Sequence, residues 1–411
     1  MDSLTGAGQL HARLERELGE LDAASLRRSL RALPRAGKYV EVNGRRLLNL
    51  AGNDYLALAE HPAVVEAAVA ATREFGVGSG ASRLVAGHLE LHERVEAEFA
   101  AFKHAEAALL FPTGYAANLG VLTALARPGD LVCQDKLNHA SLIDAARACP
   151  AEVRTYPHRD LGKLERLLAR HHGSSPNDDA TRFVVTDAVF SMDGDTADLP
   201  ALLALADRYD AVLIVDEAHA TGVLGPDGSG LAAAQGVAGR VPITVSTASK
   251  ALGSLGGFVT ADRRIIDTLI NRARPLIYST AVSPPQAAAI AAAVQIVQDE
   301  PWRRERLASL SQQMRKSLTA AGWPGLEVED DAATPILPLV VGEAEAAKAL
   351  QARLEAVDVL GVAIRPPTVA AGTARVRLSL RADLTDDELD TAIDAVGRPT
   401  ATERKTLHAS D

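Results

Sequence analysis

From about residue 105 the sequence repeats one pattern, a short apolar run followed by a longer stretch with helical spacing. The runs fall at 107–111, 131–134, 183–190, 211–216 and 243–247, and 258–260 extends the series. Helical spacing occupies 116–125, 140–148 and 199–209 between them. The run Ala211-Val212-Leu213-Ile214-Val215-Asp216 is apolar at every position but the last, so it has no face to offer to water. Strands buried on both faces and joined by helices make a mostly parallel sheet covered on both sides. The class is therefore α/β. Ligands of open α/β sheets bind beyond the carboxyl ends of the strands, which is where chemistry is expected.

The chain has 411 residues, beyond the size at which single cores usually divide. Residues 1–50 read as an N-terminal helix, reaching to about residue 33, and a hairpin over 39–49. Residues 51–285 read as the large α/β domain, with helices at 62–75 and 89–102, a glycine-rich loop at 76–80 and a polar loop at 171–179. Residues 286–397 read as a smaller α+β domain that opens with a long helix over about 286–320. Residues 398–411 read as a flexible tail. A net charge of -10 argues against non-specific nucleic-acid binding and leaves no basic footprint for an anionic membrane. The segment Leu10-His11-Ala12-Arg13-Leu14-Glu15-Arg16-Glu17-Leu18 is amphipathic and charged, without an apolar signal core, and no window reaches about 18 uninterrupted apolar residues. Two cysteines, Cys133 and Cys149, are too few for a disulfide framework, so a cytoplasmic location is expected.

Several expected strand ends carry groups that can do chemistry. Lys250 follows the 243–247 run and opens the turn Ala251-Leu252-Gly253-Ser254-Leu255-Gly256-Gly257. A lysine there is either a solvated surface group or an amine that forms a Schiff base with a carbonyl cofactor, for which pyridoxal phosphate (PLP) is the usual candidate. Asp216 ends a buried strand. It needs a cationic partner, which a pyridinium nitrogen could be, unless it is an ordinary helix cap or ion-paired carboxylate. His219 lies three residues on, within reach of a ring oxygen or merely structural. Phe111-Pro112-Thr113-Gly114-Tyr115 is a strand, turn and helix start whose free N–H groups suit a phosphate, or a plain N-cap by Thr113. His139 can stack on a planar ring or cap its helix. Ser191 can bond a cofactor oxygen or be a turn residue. Gly76-Val77-Gly78-Ser79-Gly80-Ala81 matches a dinucleotide fingerprint but follows a helix instead of a strand. His88 and His92 have a metal-like spacing without a third ligand or an adjacent glutamate, so no metal is expected.

Taken together, these residues resemble the α-oxoamine synthases, a family of fold-type I PLP enzymes. The resemblance rests on Thr247-Ala248-Ser249-Lys250-Ala251-Leu252-Gly253, Asn53-Asp54-Tyr55-Leu56, Gly80-Ala81-Ser82-Arg83-Leu84-Val85-Ala86-Gly87, Asn138-His139-Ala140-Ser141, Phe190-Ser191-Met192-Asp193-Gly194-Asp195, Asp216-Glu217-Ala218-His219 and Tyr278-Ser279-Thr280. It covers roughly residues 25 to 395. The segment Ile364-Arg365-Pro366-Pro367-Thr368-Val369, followed by Gly372-Thr373-Ala374-Arg375-Val376-Arg377-Leu378, resembles the branch that joins L-alanine to a pimeloyl thioester, on CoA or acyl carrier protein, in biotin biosynthesis. The chain departs from the family's habit at Ala57, where glycine is usual, and at Ala370, where proline is common.

The resemblance implies a large domain with a mostly parallel sheet, a smaller C-terminal domain, and a homodimer with shared active sites. It implies that Lys250 is the Schiff-base lysine, that Asp216 faces the pyridinium nitrogen, and that His139 stacks on the ring. Ser191 and His219 would meet the phenolic oxygen. Gly114, Tyr115 and Thr247 would hold the phosphate, with Thr280 reaching the partner's cofactor. Arg365 would bind the amino-acid carboxylate, and Arg27, Asn53 and Thr368 would line the substrate site. The competing readings are a glycine-using sister enzyme such as a 2-amino-3-ketobutyrate CoA ligase and, further off, a PLP aminotransferase or lyase.

Overall fold

The 211–216 run is the middle strand of a seven-stranded sheet. In spatial order the strands are Ala107–Phe111, Gly257–Ala261, Ile243–Thr247, Ala211–Asp216, Arg182–Asp187, Leu131–Asp135 and Glu152–Tyr156. This computed structural model describes residues 6–172, 180–327, 334–400 and 403. Pairing is parallel from Ile243–Thr247 out to Glu152–Tyr156, whereas Gly257–Ala261 runs antiparallel to both neighbours. The reversal has a simple cause. Only residues 248–256 separate that strand from Ile243–Thr247, and a parallel crossover needs a dozen or more residues.

Side chains alternate across the sheet, as a strand requires. Phe183, Val185, Ile214 and Val245 face one core, under the helices Gly114–Leu125, Ala140–Ala148 and Arg263–Arg272. Val184, Leu213, Val215 and Phe258 face the other, under Glu90–Phe102, Leu161–His172, Leu199–Arg208 and Pro284–Asp299. The edge strand Glu152–Tyr156 is largely exposed along its length. Its sequence accordingly lacks an apolar run, and periodicity alone does not reveal it.

A three-stranded antiparallel sheet, ordered Ile336–Gly342, Ala374–Ser379 and Val362–Ile364, forms the smaller layer. The hairpin Tyr39–Val42 and Arg45–Asn49 joins Val359–Leu360 in a further sheet, so the N-terminal hairpin is built together with late residues of the chain.

Several expected elements differ from those observed. The helix expected over 286–320 is two, Pro284–Asp299 and Trp302–Ala321, broken at Glu300-Pro301. Proline has no N–H for the helical ladder, and its ring collides with the preceding turn. The N-terminal helix stops at Ala23, and Ser25 adopts φ 56. The strand expected to reach residue 190 ends at Asp187, after which the chain turns and Val189 bridges Thr196. His171 and His172 end a helix, and the rest of the polar loop, 173–179, lies outside the described residues. Within the segment read as a flexible tail, Pro399 is buried, and buried Glu403 accepts from Thr400 N at 2.6 Å and pairs with Arg353 at 3.4 Å. The other residues from 401 on lie outside the described residues.

Ala57, where the family usually has glycine, sits at φ 57. The turn is imposed by Asp54, whose Oδ1 accepts from Leu58 N at 2.9 Å and Ala59 N at 3.2 Å. A Cβ in the left-handed region is strained, and glycine removes that strain at some entropic cost. Ala57→Gly is expected to raise the free energy of unfolding by about 0.5–1 kcal/mol, measured by urea denaturation. A variant less stable than the wild type would contradict this account of the turn.

Candidate active site

Three adjacent parallel strands end in buried aspartates, Asp216, Asp187 and Asp135. The Lys250 loop follows the next strand over. Asp216 Oδ2 accepts from Asn118 Nδ2 at 2.6 Å, and Oδ1 accepts from Ala218 N at 2.8 Å. Among the described residues it makes no ion pair with a side-chain cation and caps no helix, which sets aside both ordinary readings of this carboxylate. Asp187 is its register partner on the neighbouring strand, and its Oδ2 accepts from His139 N at 2.6 Å. Burial, and then the charge of Asp216, push the Asp187 carboxyl well above the usual range.

Lys250 is half-buried and stands in the fields of Asp216, Asp187 and Arg377. Burial lowers its pKa to about 8, against the two aspartates, which raise it. The surface-lysine reading does not fit that setting. Gly257 lets the following strand close on the first one: a Cβ there would lie 2.4 Å from the Thr113 carbonyl oxygen. Gly114 packs against Thr247 less tightly, with its Cβ position 3.3 Å from Thr247 Cβ. Thr113 caps the Gly114–Leu125 helix by accepting from Ala116 N at 3.0 Å. The N–H groups of Gly114 and Tyr115 lie in the first turn, where helices leave donors without intrahelical acceptors. Thr247 Oγ1 bonds Ser249 Oγ at 2.8 Å beside them. The Tyr115 ring turns away to Asp144, its hydroxyl donating to Oδ2 at 2.7 Å.

His139 takes the capping role of its two expected ones. It caps the Ala140–Ala148 helix, accepting from Ser141 N at 3.3 Å through Nδ1, yet the residue remains exposed. Enclosure by the surrounding protein lowers its pKa, so the ring is neutral near pH 7. His219 is buried, with Nδ1 2.7 Å from the Tyr55 hydroxyl. Burial, then Lys250 and Arg377, hold its pKa well below the ordinary value. The same hydroxyl donates to Asn53 Oδ1 at 3.1 Å. Ser191 is half-buried past the Asp187 strand end, and its carbonyl accepts from Arg377 Nη1 at 3.0 Å.

Arg377 joins this group without any role that the sequence alone suggests. It is buried, and its Nη2 donates to Asn53 Oδ1 and to Ser379 Oγ, the latter at 3.1 Å. Its Nε has no partner, and no carboxylate pairs with it among the described residues. Its neighbours on the same face are matched: Arg375 pairs with Asp193, and Arg381 with Asp54 and Asp383. Strand periodicity puts 375 and 377 on one face, but only the tertiary contacts distinguish them.

Arg365, Arg27 and Thr280 each make a contact within the chain that spacing does not show. Arg365 donates to the Ser25 carbonyl and lies against Arg28 of the N-terminal segment. Arg27 is exposed and tied to Asp22 Oδ2 at 2.6 Å, while the next residue, Arg28, reaches Thr368 Oγ1 at 3.2 Å. Helical register past Ala23 is lost, so spacing does not choose between the two arginines. Thr280 is exposed, and its backbone bridges Ser82 in the same chain.

The family model for class I and II aminotransferases matches residues 45–396. An 8-amino-7-oxononanoate synthase from Anaeromyxobacter dehalogenans is 48% identical, over 89% of this chain and 90% of that one. This chain belongs to the 8-amino-7-oxononanoate synthase family. A solved 8-amino-7-oxononanoate synthase from Francisella tularensis shares the family's fold with a TM-score of 0.72 at 26% identity, over 89% and 99% of the two chains. A serine palmitoyltransferase from S. paucimobilis with PLP and myriocin bound superposes with a TM-score of 0.87 at 28% identity, over 96% and 98%. The fold-type I architecture expected from the sequence is therefore the one observed.

The environment of Lys250 makes one prediction directly. In cofactor-free protein its amine is expected to titrate near pH 8, whereas an ordinary lysine titrates near about 10.4. The neutral amine is the nucleophile, so capture of added PLP should quicken as pH rises through 8 and level off above it. Stopped-flow absorbance measures this, and a rate still climbing beyond about pH 10 would contradict the assignment.

Proposed function

We propose that this chain is a PLP-dependent C-acyltransferase that condenses L-alanine with a pimeloyl thioester. The products are 8-amino-7-oxononanoate, carbon dioxide and the free thiol carrier, in biotin biosynthesis. The observation that carries the reading is Arg377, a buried guanidinium without a carboxylate partner beside Lys250 and Asp216. Leaving a buried cation uncompensated is costly, so a substrate carboxylate is the natural occupant.

The residues fit PLP. Lys250 would hold its carbonyl carbon, Asp216 its ring nitrogen and the open face of His139 its ring. Ser191 and His219 would meet the phenolic oxygen. The N–H groups of Gly114 and Tyr115, with Thr247, would hold the phosphate at a helix N-terminus, where anions are favoured. Bound there, PLP supplies an electron sink for charge that develops at the alanine Cα.

This chain's own groups do the rest. Arg377 holds the alanine carboxylate by charge-assisted hydrogen bonds, and Asn53 and Tyr55 fix the guanidinium in turn. Lys250 Nζ, with its pKa near 8, accepts the Cα proton near neutral pH, since general bases work best when their pKa lies near the operating pH. Neutral His219 and His139 add no positive charge that would weaken Lys250 as a base. Arg28, Arg365 and Thr368 gather two cations and a hydroxyl at the N-terminal segment, suited to the far carboxylate of the pimeloyl chain. Exposed Thr280 is consistent with a homodimer in which it reaches the partner's phosphate site. The protein acts in the cytoplasm on this reading.

Thiol release by PLP-loaded protein tests it, with alanine, glycine or serine against pimeloyl-, acetyl-, succinyl- or palmitoyl-CoA, and with pimeloyl-acyl carrier protein as a second donor. Release is expected only from alanine with a pimeloyl donor, and Lys250→Ala should abolish it. Glycine with acetyl-CoA as the preferred pair would make the chain a glycine-using sister enzyme. Arg377→Met is expected to raise KM for alanine by about tenfold or more, the loss of one charge-assisted contact. An unchanged KM would remove Arg377 from the carboxylate site.

A further inference from the structure

His158 lies outside the group that meets cofactor or substrate, yet it joins two turns that do. It follows the edge strand Glu152–Tyr156. Its Nδ1 is 3.0 Å from Asp135 Oδ1, and its Nε2 is 2.7 Å from Asp195 Oδ2. Asp135 begins the turn that delivers His139, and its oxygens also accept from Leu137 N at 2.8 Å and Arg159 N at 2.9 Å. Asp195 closes the turn that delivers Ser191, its carbonyl accepting from Phe190 N at 3.0 Å. The imidazole stands edge-on to Phe190, with ring centroids 4.3 Å apart.

The charges around the ring favour one arrangement. The charged groups facing it are Asp135, Asp195 and Arg159, whose Nη1 lies 3.6 Å from Asp195 Oδ2. Burial alone lowers the His158 pKa, but hydrogen bonds and charge from the two aspartates outweigh it and lift the pKa to about 9. A protonated ring donates from both nitrogens, which is what two carboxylates on opposite edges require. The Ser191 turn is fastened on its other side too: Arg375 pairs with Asp193, Arg377 donates to the Ser191 carbonyl, and Thr334 Oγ1 donates to the Gly194 carbonyl at 2.6 Å.

We propose that His158 is a positioning residue for the reaction, clamping the His139 turn and the Ser191 turn into one rigid wall of the Lys250 site through Asp135 and Asp195. The inference rests on the PLP reading above. Without the clamp, the link between the two turns is reduced to Arg159, whose N donates to Asp135 and whose Nη1 lies 3.6 Å from Asp195, so the walls are free to shift against each other. Small misplacements of that kind act on the rate more than on binding.

His158→Gln tests the clamp, because a glutamine amide carries both of its N–H donors on one nitrogen and cannot meet carboxylates on opposite edges of the side chain. Asp195→Asn is the milder second variant, on a side chain 28% exposed. Each would be loaded with PLP and compared with the wild type for kcat, KM for alanine, and the visible circular dichroism of the bound cofactor, with far-ultraviolet dichroism monitoring the fold. A clamp predicts His158→Gln folded and PLP-bound, with kcat down about tenfold or more, KM for alanine little moved, and the visible dichroic band altered. Asp195→Asn should change in the same direction, but less. Variants that match the wild type in kcat and visible dichroism would overturn the proposal, as would losses that only track loss of far-ultraviolet signal. If His158→Gln does not fold, Asp195→Asn decides by the same criteria. A wild-type chain that bound no PLP would instead overturn the functional reading on which the clamp rests.

Discussion

Burying three carboxylates side by side is the constraint that the rest of this site answers. Asp135, Asp187 and Asp216 end three neighbouring strands that are buried in the interior of the sheet. Each is satisfied differently. Asp135 accepts two backbone N–H groups and faces His158. Asp187 accepts the His139 N–H, and burial beside Asp216 pushes its carboxyl up. Asp216 has a side-chain amide and one backbone N–H but no ion pair. A buried carboxylate without a cation is poised for one, and Lys250 sits in its field at the next strand end. The chemistry of the site follows from this gradient, from a fully engaged aspartate to one left for a ligand.

The second determinant is the run of arginines that joins the small sheet to the large one. Arg375 and Arg381 reach Asp193 and Asp54, carboxylates carried by turns of the large layer. Both guanidiniums are buried, so these pairs set register and orientation more than they add stability. Arg377 lies between them with hydrogen bonds to Ser191 and Asn53 and no counter-charge. Two matched arginines hold the layers together, and the unmatched one faces the site.

Much of this was legible in the chain. The runs at 107–111, 211–216 and 243–247 are strands with those bounds, and 62–75 and 140–148 are helices with those bounds. They share a reason: each is buried on a consistent face, so composition and periodicity carry the same message. The misses have reasons as well. Glu152–Tyr156 is an exposed edge, and the Leu161–His172 and Arg263–Arg272 helices pack one face over a sheet while showing many charges. The helical pattern over 286–320 runs through Pro301, where a local rule outweighs it.

The sequence by itself determined the α/β class, the strand ends at which to look, and Lys250, Asp216 and His139 as a group, because buried strands and sharp turns leave strong local signatures. It also marked Ala57 as unusual, and that residue does adopt a left-handed conformation. Only the tertiary structure decided which arginine faces the site, that Arg28 and not Arg27 reaches Thr368, and that His158 spans two aspartates 60 residues of chain apart, Asp135 and Asp195. The physical reason is that charge pairing depends on distance in space. Residues from turns far apart in the chain compete for the same few carboxylates, and no spacing along the sequence records which of them wins.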